Sequence, residues 1–116
     1  MLLLFPSTLG NSRSENSLEK TAANLENRPR HLSLTIDAAF ADPIIGPHLL
    51  KERVGIIGNS IGAYTALAVA GGRPWASPHE TPDQHPRPVN VQPDSRVGAL
   101  VLLMPATFWF IAESLR

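Results

Sequence analysis

A chain of 116 residues with 43% apolar content can form one core, and its length falls in the range of a single domain or part of a larger one. Ten Lys and Arg balance ten Asp and Glu, so the basic excess that a nucleic-acid surface needs is missing. With no cysteine, disulfides, thiolate metal sites and a cysteine nucleophile are all excluded.

Met1 to Phe5 is an apolar run, too short for a secretory signal core or a membrane span, and a cytoplasmic location is expected. Followed by Pro6 and Gly10, it predicts a short buried strand ending in a turn. A parallel strand buried on both faces needs neighbours, so further strands are expected upstream. Ser12 to Asn27 is polar and predicts a surface loop with a helical turn around Leu18 to Leu25. Arg28-Pro29-Arg30-His31 leads into a helix whose buried stripe is Leu32, Ile36, Ala39 and Phe40. Asp42-Pro43 ends it, because the residue before proline resists helical angles. Ile44 to Glu52, with Pro47, is a connector.

Val54 to Ile57 is a short, β-branched apolar run without polar alternation, as a doubly buried parallel strand requires. Gly58-Asn59-Ser60-Ile61-Gly62 then fits G-x-S-x-G. Ala63 to Ala70 consists mostly of small, apolar helix formers, and Gly71-Gly72 supplies a stop. Strand, turn and helix in this order are the context in which the motif marks a nucleophile elbow. A serine on so sharp a turn sits in strained backbone space, so Gly58 and Gly62 are expected to let the helix close on the strand. The helix amino terminus puts the Ile61 N–H beside the hydroxyl as an oxyanion donor. The plainer alternative is a structural turn that happens to hold serine. A dinucleotide site fits less well, since Ser60 and Ala63 stand where the second and third glycines of G-x-G-x-x-G belong and Met104-Pro105 stands where an acidic residue would. No cofactor or metal is expected.

Arg73 to Ser95 holds six prolines, at 74, 78, 82, 86, 88 and 93, which forbids both regular helix and central strand. Val97 to Met104 is a second doubly buried strand, and Pro105 to Arg116 is its exit. In a βαβ unit the crossover returns the chain to the far edge of the sheet. The Pro-rich loop is therefore expected about 16 Å from Ser60, the length of the elbow helix at about 1.5 Å per residue. That placement disfavours His79, His85 and Asp83 as catalytic partners, and His48 falls on the same far side. His31 alone could approach Ser60, although a solvated histidine at a helix start describes it better. Arg28 and Arg30 read as surface or helix-start charges rather than an anion clamp.

Arg53-Val-Gly-Ile-Ile-Gly-Asn-Ser-Ile-Gly-Ala-Tyr-Thr-Ala-Leu-Ala resembles the strand, elbow and helix of the α/β-hydrolase superfamily, in its dienelactone hydrolase and platelet-activating-factor acetylhydrolase-like branch. Arg96-Val-Gly-Ala-Leu-Val-Leu-Leu-Met-Pro-Ala is similar to that branch's next strand, and Glu26 to Asp37 to its preceding helix. Asn59 departs from the usual histidine and Ala63 from a common glycine, both beside the serine. The resemblance implies an α/β domain spanning residues 1–116. It would be a partial hydrolase fold of about three parallel strands, with helices packed on the sheet and a long Pro-rich loop. The N-terminal strands, the loop giving the second oxyanion N–H, and the C-terminal acid and histidine would all be missing. The implied activity is carboxylic-ester hydrolysis through an acyl-enzyme at Ser60, incomplete and weak or inactive in this chain, with a small-molecule ester as substrate. The open sheet edges would favour self-association. The rival expectation is a non-catalytic remnant or interaction module on the same scaffold.

Overall fold

The computed structural model describes residues 1–115. The order is helix α1 (Ala22–Ala41), strand β1 (Val54–Asn59), helix α2 (Ile61–Val69), strands β2 (Trp75–Ala76) and β3 (Arg87–Pro88), and strand β4 (Val97–Leu103). β1 and β4 pair in parallel, from Gly55 opposite Ala99 to Asn59 opposite Leu103. β2 and β3 form a separate antiparallel pair. The chain is thus an α/β-type domain with a small parallel sheet.

Two parallel strands replace the three expected, because Met1 to Phe5 adopts no strand and lies exposed. No ladder partner for it exists among the described residues. The sheet is covered on one face only: Ile56 and Leu100 are half-buried, while Ile57, Val101 and Leu103 on the other face keep 68, 52 and 51% of their surface exposed. Both strands were expected to be buried on two faces. Their residue type is right for that environment, but the described residues supply helices to one side alone.

α1 begins six residues earlier than the expected Arg28. Thr21 caps it, its Oγ1 accepting from the Asn24 N–H at 3.1 Å, which places Pro29 inside the helix. An internal proline removes the N–H that would bond the carbonyl four residues back, here that of Leu25. The Tyr64 hydroxyl on α2 takes the vacant place, donating to the Leu25 carbonyl at 2.8 Å in a buried setting. Burial pushes the Tyr64 phenol well above its usual range, so it remains protonated and able to donate. The expected stripe is present in part, with Ile36 buried and Leu32, Ala39 and Phe40 half-buried.

α2 is enclosed on most of its circumference. Ala63, Ala66, Ala68 and Val69 are fully buried, and their small side chains let sheet and helices approach closely. Tyr64 meets Trp109 edge-on at 4.8 Å between ring centres and Phe110 at 5.6 Å. The predicted stop holds: Gly71, at φ 118°, donates to Ala68 and Gly72 to Leu67, the reciprocal pair of a Schellman terminus. Among the described residues no helix is long and apolar enough to cross a membrane.

Arg96, at the start of β4, ties the sheet to α1. It bonds Asp94 through Nε at 2.8 Å and Nη2 at 2.6 Å, reaches Asp37 at 2.6 Å, and sits over the Phe40 ring at 5.7 Å. Its hydrogen bonds hold the Asp94 carboxyl below the usual carboxylate range. A carboxyl depressed in the folded state contributes stability above its unfolded value, about pH 3.9, and loses that contribution as pH falls through its folded value. Urea midpoints should therefore drop between pH 7 and pH 3, and Asp94→Asn should lower the midpoint at pH 7 while flattening that drop.

Replacing Tyr64 by Phe strands a buried carbonyl and should cost about 1–3 kcal/mol. In a Pro29→Ala background residue 29 regains its N–H, so the same change should cost measurably less. A double-mutant cycle by chemical denaturation reads the difference.

Candidate active site

Ser60 joins β1 to α2 at φ 52° and ψ −117°, a conformation that residues with a Cβ seldom take and that persists only where its surroundings enforce it. Both ends are fixed. The Ser60 N–H donates to the Leu103 carbonyl at 3.0 Å, extending the ladder by one bond. Its carbonyl accepts from Ala63 at 3.0 Å and from Tyr64 and Ala106, each at 3.4 Å. Strand exit, helix start and the segment after β4 thus converge on one residue, whose side chain is exposed. The Ile61 N–H has no acceptor among the described residues and stands in the first turn of α2, where helix-terminal N–H groups favour negative charge.

The two motif glycines differ. A Cβ on Gly58 would lie 2.5 Å from the Gly62 carbonyl oxygen and 2.7 Å from the Ala63 nitrogen, both backbone atoms. A Cβ on Gly62 would meet nothing within 4 Å, so the expectation that both glycines are needed for closure is corrected to Gly58 alone. Sequence spacing cannot see this, because the contact is made by the backbone of the first helical turn.

The elbow turn is braced by a chain of bonds that the sequence did not single out. Arg28 Nε donates to Thr65 Oγ1 at 3.0 Å, and Thr65 Oγ1 donates to the Ile61 carbonyl at 3.0 Å. Arg28 Nη1 also reaches Asn11 Oδ1 at 2.8 Å. Expected as a surface charge, Arg28 is partly buried among neutral acceptors, and burial lowers its pKa. The signal lay in helix register. Once α1 starts at Ala22, Arg28 falls beside buried Leu25, Pro29 and Ile36.

The Pro-rich segment does not stay at the far edge of the sheet. It climbs back along α2: Trp75 donates to the Trp109 carbonyl at 2.8 Å, and a 3-10 turn at Pro78–Glu80 follows. Glu80 accepts from the Ser77 N–H at 2.8 Å and from Trp109 Nε1 at 2.9 Å. The turn therefore reaches the elbow's side of the molecule, and His79 and Ile61 border a common cavity. His79 was expected at the far edge of the sheet; its segment instead shares this cavity with the first residue of α2, because the crossover doubles back rather than running directly to β4.

No histidine hydrogen-bonds Ser60 among the described residues. The His85 ring nitrogen contacts the Asp83 carbonyl at 2.7 Å, and His48 lies exposed in the connector. His31 has a buried Nδ1 without a partner, and burial, then Arg30 and Arg28, lower its pKa. Among the described residues no three His, Asp or Glu side chains gather as metal ligands.

No family model matches the chain, and neither the curated proteins nor the solved structures contain a significant match to it.

Gly58→Ala should destabilise the protein by more than about 2 kcal/mol, since backbone must move to admit the methyl group. Gly62→Ala should change stability by less than about 1 kcal/mol, as an open helical position tolerates alanine. Thermal or urea denaturation of the two variants checks the asymmetry.

Proposed function

We propose that this chain carries the nucleophile of a serine ester hydrolase of the α/β-hydrolase type. The observation that carries the reading is the backbone of Ser60: an exposed hydroxyl at positive φ between a parallel strand and a buried helix, next to an Ile61 N–H that has no acceptor among the described residues. In this reading Ser60 Oγ attacks the ester carbonyl carbon and passes its proton to a base. The carbonyl oxygen takes the developing charge beside Ile61, and the alcohol leaves with a proton. Water then attacks the acyl-enzyme, releasing the acid and restoring the hydroxyl.

Magnitudes set the activity to expect. A serine hydroxyl without its base is a poor nucleophile at neutral pH, and in subtilisin loss of the histidine alone lowers kcat on the order of 10⁶. Since no histidine bonds Ser60 among the described residues, turnover by the isolated chain should be very slow. The exposed sheet face of Ile57, Val101 and Leu103 favours a second reading, a non-catalytic module of the same scaffold that associates through its sheet.

A fluorophosphonate probe separates the two. The hydrolase reading expects slow covalent labelling at Ser60 that accumulates on prolonged exposure, since one irreversible event per chain suffices, and that is lost in Ser60→Ala; no accumulation on the folded chain, or equal labelling of that variant, favours the module. Ser60→Gly should also abolish labelling yet raise stability by about 1 kcal/mol, because it relieves a strained angle. A structural turn with no use for the hydroxyl would gain the stability and lose nothing.

A further inference from the structure

We propose that the cavity beside the elbow holds the acyl group of the ester, and that it prefers a medium-length aliphatic chain to acetyl; this rests on the serine hydrolase reading above. The cavity measures about 340 Å³, at the small end of the roughly 300–1,000 Å³ range of small-molecule sites. Leu25, Ile61, Phe108 and Trp109 form its apolar wall, with Lys20 and His79 among its polar neighbours.

Ile61 connects this space to the chemistry. Its N–H faces no acceptor among the described residues, while the residue itself borders the cavity immediately after Ser60. A carbonyl whose oxygen meets that N–H has its carbon at Ser60, one residue from the part of the cavity wall that Ile61 forms. An acetyl group has a single methyl to bury against Phe108 and Trp109. A longer aliphatic chain exchanges water for these walls, and each methylene so buried adds to binding.

Four segments of separate sequence origin meet here: the start of α1, the start of α2, the turn at Pro78–Glu80 and the segment after β4. Phe108 stands largely exposed, with its ring 3.9 Å from that of Trp109. It can be changed without opening the core, and Trp109 is one of only two tryptophans in the chain.

Trp75→Phe leaves Trp109 as the sole indole reporter. Titrating that variant with methyl octanoate should give a saturable change in emission, at least about tenfold tighter than with methyl acetate. Phe108→Ala should weaken octanoate binding at least about fivefold, while Phe108→Leu, which keeps an apolar wall, should retain it. Circular dichroism confirms that each variant is folded. Ser60→Ala should leave binding within about twofold. An unsaturable response, equal affinity for the two esters, or octanoate affinity unaffected by Phe108→Ala overturns the assignment. Octanoate binding without fluorophosphonate labelling of Ser60 overturns the hydrolase reading and leaves the cavity's ligand class standing; labelling without a chain-length preference does the reverse.

Discussion

The Tyr64 hydroxyl joins the two helices of this domain where the backbone of one is incomplete. Pro29 leaves the Leu25 carbonyl without its helical donor, and a phenol from α2 supplies it across the core. Tyr64 also donates its N–H to the Ser60 carbonyl, so a single residue couples the break in α1 to the turn that carries the serine. Trp109 and Phe110 pack against the same ring, bringing in the segment after β4. A buried carbonyl cannot be left unpaired without cost, so these elements share one arrangement.

Much of the strand, turn and helix around Ser60 was legible because local rules govern them. A β-branched run, a glycine-flanked serine, small helix formers and a double glycine each act over a few residues, and β1, α2 and the stop after it follow them. Pro29 misled for the converse reason. Its penalty is real in an isolated helix, but a tyrosine 35 positions later offsets it, and no window around residue 29 contains that information. The Pro-rich stretch hid its course in the same way. Its prolines excluded long elements, as expected, yet the return towards α2 depends on Glu80 meeting the Trp109 indole and Trp75 the Trp109 carbonyl.

The strands show a different mismatch. Their composition belongs to a sheet sandwiched between layers, while the described residues lay helices on one side only. Val97 to Leu103 contains no charged side chain to mark a wet face, so pattern alone gave no indication of which side would lie open. The Arg96 cluster compensates locally. By joining Asp37 on α1 to Asp94 before β4, it fixes the covered side without help from the other.

The unequal neighbours of the serine change how such turns should be sought in other chains. Steric necessity attaches to the glycine two places before the hydroxyl, whose missing side chain makes room for the oncoming helix; the one two places after is surplus to closure here. A search insisting on both will pass over proteins in which alanine or serine fills the later position, although the bend would be no harder to make.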